Sequence, residues 1–314
     1  MLVPAVALLV GFGVAMLLTP VVRAAALDRA LLDEPGGRKV HARAVPRLGG
    51  AAMLLAFFAA IAVAALVSGS AGGGIETGDL LPILLGVGLV GALGFVDDLR
   101  DLGARAKLAG QFAAAVVVVL LGLSFRALDL PWGSVDLGPV GPVLTVIWLV
   151  AVVNAVNLID GLDGLAAGVS LAALLAFAAI AQLLDAPLVA LVTLAGAGAV
   201  AAFLLFNRPP ASIIMGDAGS MFLGMLLGTS AVALVTAEPR GVSLPAAVAV
   251  LGVPLADTTW AVVRRLAAGR SIFAADNGHI HHRLMALGLG QGAVTLVLVA
   301  ASAVLGLLAL LLTA

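Results

Sequence analysis

The chain contains no cysteine, which excludes disulfides and cysteine-bound metal and leaves the redox compartment unreadable from thiols. Charge is scarce too. Only 11% of its 314 residues are Asp, Glu, Lys or Arg, whereas about a quarter of an ordinary soluble domain is charged. No internal repeat stands out, so the inverted repeats of many transporters are not evident. The first apolar stretch has neither a charged leading region nor a small-residue cleavage site, and is expected to be a retained span rather than a signal peptide. The net charge of -1 says little, because charges on such a chain matter by location.

What remains is apolar. With 63% hydrophobic residues and a mean hydropathy of +1.22, the chain is expected to be an all-α, polytopic membrane bundle in one domain, residues 1–314. Runs of roughly 17 to 25 apolar residues give ten expected spans, at 2–22, 48–68, 80–96, 108–125, 142–159, 164–184, 188–206, 218–236, 242–263 and 291–313. Strands would alternate in polarity, and unpaired backbone in lipid costs several kcal/mol per group, so helices are the solution. Abundant Gly and Ala allow them to approach closely.

Loops 23–47, 97–107, 207–217 and 264–290 hold fourteen of the sixteen Lys and Arg residues, leaving Arg126 and Arg240 opposite. That asymmetry makes the first side cytoplasmic and puts both termini outside. The same parity gathers His41, His279, His281, His282, Asp97, Asp98, Asp101, Asp160, Asp163, Asp217 and Asp276, with Asn154 and Asn157, on the cytoplasmic side. With residues 160–163, these loops form the expected active face.

In GFVDDLRDLGARAK, Asp97, Asp98 and Asp101 share a sector if the third helix continues. Carboxylates so close repel unless a cation relieves them, and hard oxygens beside phosphate suit Mg²⁺; a solvated helix end balanced by Arg100, Arg105 and Lys107 is the alternative. In NAVNLIDGLDGL, amides at the end of a span mark a site, and Gly161 and Gly164 let backbone approach a flat ligand. A tight turn explains one Asp-Gly there but not two with two asparagines. Asp217, opening a span in MGDAGS, reads as a helix cap or as an oxygen ligand. The last loop clusters His279, His281, His282 and Arg283 behind Arg264, Arg265 and Arg270, a set better suited to anionic phosphate than to zinc. RKVHARAVPR adds Arg38, Lys39, His41, Arg43 and Arg47, which also serve as membrane anchors. Together they ask for a reaction between a water-soluble phosphorylated donor and a lipid-borne acceptor.

DDLRD, NAVNLIDGLDGL, MGDAGS and HIHH, in this order, resemble the polyprenyl-phosphate N-acetylhexosamine-1-phosphate transferases, over about residues 33 to 288. HIHH and RKVHARAVPRLGG look like the branch that transfers GlcNAc-1-phosphate to undecaprenyl phosphate, the first membrane step of cell-wall or surface-glycan synthesis. The resemblance implies a UDP-N-acetylhexosamine donor, a polyprenyl phosphate acceptor in the bilayer, and Mg²⁺, which Mn²⁺ could replace. It allows for a homodimer and implies no nucleic acid. Asp217 falls on the family's metal aspartate, Asp97 on the residue activating the lipid phosphate, and Asp98 on the residue holding the metal or acceptor. Asn157, Asp160, Gly161, Leu162 and Asp163 fall where relatives bind nucleotide and diphosphate, and His279, His281 and His282 where they engage phosphate or sugar. Lys39, His41, Arg47, Asn154, Asn207, Arg264 and Arg265 complete the expected substrate contacts. Gly36, Ala44, Ile214, Ile272 and Ala275 depart from the family pattern. Rival readings are the same chemistry with another UDP-sugar or UDP-MurNAc-pentapeptide, an ion-coupled transporter, and a zinc hydrolase.

Overall fold

Long apolar runs have one way to pair their backbone in lipid, and the computed structural model, which describes residues 2–33, 44–70, 77–130, 133–237, 241–271 and 278–314, is helical accordingly. Lys39, His41, Arg38, Arg43, Gly36, Arg240, Ile272, Ala275 and Asp276 lie outside the described residues. The long helices are α1 Leu2–Asp28, α2 Gly49–Ser70, α3 Thr77–Arg100, α4 Ala104–Leu120, α5 Val140–Ile159, α6 Leu165–Leu183, α7 Pro187–Asn207 and α8 Gly216–Val235. Then follow α9 Leu244–Val250, α10 Gly252–Ala267, α11 Ile280–Ala286 and α12 Gln291–Thr313. Two short antiparallel pairs join them: β1 Leu32–Asp33 with β2 Val45–Pro46, and β3 Ala127–Leu130 with β4 Gly133–Asp136.

Eight of these helices are long and apolar enough to cross a membrane, against ten expected spans. Two expectations change. The span at 108–125 is α4, whose 17 residues reach about 25 Å at 1.5 Å per residue, short of a bilayer core of about 30 Å. The span at 242–263 is broken at Leu251, where α9 and α10 meet at 88°. Pro254 explains the break: it has no N–H to return to the carbonyl of Val250, and its ring crowds the preceding turn.

Burial ranks the helices. In α8, 94% of the most apolar window lies inside the protein, against 22% in α1 and 28% in α12, so α8 is the axis and the other two form the rim. Around the axis pack α3, α5 and α2; α7 bridges α1 to α6, and α12 covers α6. Small residues permit this. A Cβ on Gly94 of α3 would run into the backbone of Asp217 and Ala218 in the first turn of α8.

The first turn of α8 is also tied to the entry of α2. Ile214 N–H donates to Pro46 O (2.9 Å), Gly49 N–H to Ile214 O (3.0 Å) and Gly50 N–H to Met215 O (2.8 Å). The ends of α1, α3, α5 and α7 and the starts of α2, α4, α6 and α8 therefore meet at one end of the bundle. The β3–β4 hairpin, expected only as a loop, sits at the other end, between α4 and α5.

Candidate active site

At the gathered end, one ammonium joins two helices. Lys107 Nζ, near the start of α4, lies 3.1 Å from Asp97 Oδ2 of α3 and 2.8 Å from Asp217 Oδ2 of α8. Asp97 Oδ1 accepts Leu102 N–H (2.7 Å), which holds the reversal after α3. Asn157 of α5 donates from Nδ2 to Asp217 Oδ1 (3.0 Å) and to Ser220 Oγ (2.9 Å). Four helices thus converge on two carboxylates. Lys107 was read from the sequence as charge balance; it is instead at the centre of the site. The reversal hid it, because no helical spacing links it to Asp97.

The three aspartates of DDLRD do not share a sector. The helix stops at Arg100, and Asp101 adopts φ 52° and is exposed. Asp98, expected to hold metal or acceptor, presents Oδ1 to Asp217 N–H (2.8 Å) and Oδ2 to Ala218 N–H (3.0 Å). It satisfies the open amides at the start of α8 from a neighbouring helix, the service an N-cap side chain usually performs. Asp217 is therefore no cap, and its own carboxylate stays in the site. Gly216, at φ 69°, makes the arrangement possible, since a Cβ there would meet Asp98 Oδ1 at 2.5 Å.

The α5–α6 turn divides its residues. Asp160 N–H donates to Asn157 O (3.3 Å), while its carboxyl has no hydrogen-bond partner among the described residues. Burial first, then repulsion from Asp217, Asp98, Asp163 and Asp33, holds its carboxyl well above the usual carboxylate range. Gly161 is exposed, whereas Leu162 is packed in the core and its carbonyl accepts Leu165 N–H (3.1 Å). Asp163, an expected substrate contact, instead accepts Ala211 N–H at Oδ2 (2.9 Å), and its carbonyl accepts the Thr295 hydroxyl of α12 (3.1 Å). Asn207 likewise is 3% exposed; Oδ1 accepts Gly164 N–H (3.0 Å) and Nδ2 donates to Ile213 O (2.9 Å). Both staple loops together rather than face a ligand. Asn154 lies one turn deeper and donates to Gln111 Oε1 of α4 (2.6 Å) and to Val150 O (2.8 Å), an interhelical link and not a substrate contact. Their sequence signal was the same as that of Asn157; only long-range packing separates them.

Arg47 pairs through Nη2 with Asp33 Oδ1 (2.9 Å), while its buried Nε has no hydrogen-bond partner among the described residues. On the other flank, His281 rests against the turn: a Cβ on Gly161 would meet His281 Nε2 at 2.7 Å. His279 and His281 stack with centroids 5.7 Å apart, and His282 lies 4.3 Å from His281. Burial, then the neighbouring His282, pushes His281 down to about 4, so the ring is neutral at neutral pH. The Arg264 guanidinium covers the backbone of Gly278, and Arg265 is buried.

The donor set fits Mg²⁺ of one kind only. Among the described residues no group of three or more His, Cys, Asp and Glu could hold a metal ion, so an all-protein cage is not built. Two converging carboxylates, already sharing one cation, match the way Mg²⁺ is held by one or two carboxylates together with substrate phosphates.

Carboxylates, an ammonium and an amide converge where apolar helices meet at one end of the bundle, and the chain is a multi-pass membrane transferase. A family model described as glycosyl transferase family 4 matches residues 80–235, which include Asp97, Asp98, Asn157, Asp160 and Asp217. The chain is 33% identical over 289 residues, 91% of its length and 78% of the relative's, to the probable undecaprenyl-phosphate N-acetylglucosaminyl 1-phosphate transferase of Bacillus subtilis (strain 168). It is 35% identical over 290 residues, 85% of its length and 71% of the relative's, to the decaprenyl-phosphate N-acetylglucosaminephosphotransferase of Mycolicibacterium smegmatis. The phospho-N-acetylmuramoyl-pentapeptide-transferase of the same organism is 32% identical over 331 aligned residues, 88% of each chain. The protein belongs to glycosyl transferase family 4.

Proposed function

We propose that the enzyme transfers GlcNAc-1-phosphate from UDP-GlcNAc to undecaprenyl phosphate, giving undecaprenyl-diphospho-GlcNAc and UMP, on the cytoplasmic side of the plasma membrane. The observation that carries this reading is the bridge Asp97–Lys107–Asp217, set where α3 ends and α8 begins. The names of the Bacillus and Mycolicibacterium relatives support the sugar and a polyprenyl phosphate. The Lys and Arg asymmetry supports the side.

Asp217 and Asp97 would hold Mg²⁺ together with the donor's diphosphate, and the ion would supply neutralisation of the charge on the transferring phosphoryl group. Asn157 fixes Asp217 through Oδ1 and leaves Oδ2 facing the site. Lys107, once a phosphate competes for it, is placed to pair with anionic oxygen. Asp97 orients the acceptor phosphate, one oxygen of which attacks the sugar-bearing phosphorus; a P–O bond forms there as the bond to UMP breaks in line. Asp160, Gly161 and the histidines receive the nucleotide and diphosphate.

A screen of UDP-sugars against detergent-solubilised protein and undecaprenyl phosphate, with UMP as the measured product, tests the proposal. Release with UDP-GlcNAc, lost in EDTA and restored by Mg²⁺, is expected. Release with UDP-MurNAc-pentapeptide alone would reassign the donor, a reading favoured by the muramoyl relative's similar identity. UMP exchange into the donor without lipid would replace single displacement by a covalent route.

A further inference from the structure

Asp257 belongs to none of the motifs that define the site, yet it is 1% exposed inside α10. Its carboxylate is fully used. Oδ2 lies 2.7 Å from His279 Nδ1, and Oδ1 accepts Ile280 N–H at 2.7 Å. A carboxylate that already accepts a backbone N–H takes the imidazole as donor, so the proton sits on Nδ1 and Nε2 is presented on the other side of the ring.

That ring is the first of a stack. His279, 6% exposed, lies parallel to His281, with 7° between the planes, and His281, 2% exposed, abuts the backbone of Gly161. A chain of contact therefore runs from a carboxylate on the broken span, through two imidazoles, to the turn beside the acid centre.

We propose that Asp257 is a positioning residue for phosphoryl transfer: through His279 it orients the stacked imidazoles behind the Gly161 turn toward the donor's diphosphate. This rests on the reading of that turn as the donor site. Among the described residues, His279 is faced by Asp257 of α10 and by the His281 ring of α11, with the Arg264 guanidinium over the neighbouring Gly278.

The test is a double-mutant cycle on UMP release from UDP-GlcNAc, using Asp257→Asn, His279→Gln and the pair. Each single change is expected to lower kcat/KM by about 10- to 100-fold, as loss of a carboxylate behind a working histidine does elsewhere. The pair should lose no more than His279→Gln alone, whereas additive losses would overturn the proposal. Asp257→Asn should lose kcat/KM while melting like wild type, and Asp257→Glu, which restores a carboxylate acceptor for the imidazole, should recover most of the loss. Wild-type kcat/KM in an Asp257→Asn variant that melts like wild type would reject the role. If Asp257→Asn does not fold, the same readings on Asp257→Glu and its pair with His279→Gln decide. A wild-type enzyme that releases no UMP from any donor sinks the donor-site reading and the positioning role with it; an active wild type with an additive cycle sinks the positioning role alone.

Discussion

Two polar layers sit one helical turn apart on α5, and they do opposite work. At the rim, Asn157 reaches Asp217 and Ser220, beside Asp97 and Lys107. One turn deeper, Asn154 reaches Gln111, whose Nε2 faces Met221 Sδ at 3.8 Å. Both asparagines need partners, because an unpaired amide in an apolar interior is costly. The rim amide directs its hydrogen bonds to a carboxylate of the candidate site; the deeper one holds α4 to α5. Position along the membrane normal, and not residue type, separates chemistry from scaffolding.

The largest effects should come from the rim carboxylates. Asp217→Ala and Asp97→Asn are each expected to reduce UMP release by about 10³-fold or more, on the scale of losing a charge-stabilising group, with thermal unfolding in detergent still cooperative. Near-normal turnover in either would break the contrast at its strongest point. Next comes Asn157→Ala, which leaves both acids present but Asp217 unsteadied; a loss of about 10- to 100-fold is expected, by analogy with groups that orient a ligating side chain. Asn154→Ala is the counterpart. Its turnover should stay within a few-fold of wild type, while stability falls by about 1 kcal/mol, the usual range for interhelical polar pairs in membranes. Should Asn154→Ala cost more activity than Asn157→Ala, the two layers have been assigned the wrong way round.

The smallest effect concerns Asp160. Its carboxyl is held above its unfolded value, so the folded state binds the extra proton, and stability falls as pH rises from the unfolded pKa toward the folded one. Asp160→Asn in chelator should therefore melt like wild type at about pH 4, below which both forms are neutral, and higher than wild type at neutral pH. Coincident melting curves across that range would show that the repulsion is not felt.

Much of this was legible beforehand, for identifiable reasons. Runs such as PVLTVIWLVAVV leave the backbone no choice but helix, and Lys and Arg parity grouped loops whose described parts the structure gathers at one end of the bundle. The break at Leu251 escaped because hydropathy runs straight across it, although Gly252 and Pro254 were visible punctuation. In the site, Asp97 and Asp217 were found and do meet. Lys107 was missed, and Asn207, Asp163 and Asn154 were over-read, because whether an amide or acid faces a ligand or a loop depends on partners more than forty residues away. Asp257 lies well inside the expected span 242–263, and its partner histidine comes from the far side of a loop.

Asp98 clasping the first amides of α8 means that the spacing of Asp97 and Asp217 is set by backbone geometry at the most deeply enclosed helix. The separation of the two acids is thereby anchored to the bundle's enclosed axis and not to α1 or α12, the helices that expose the most surface.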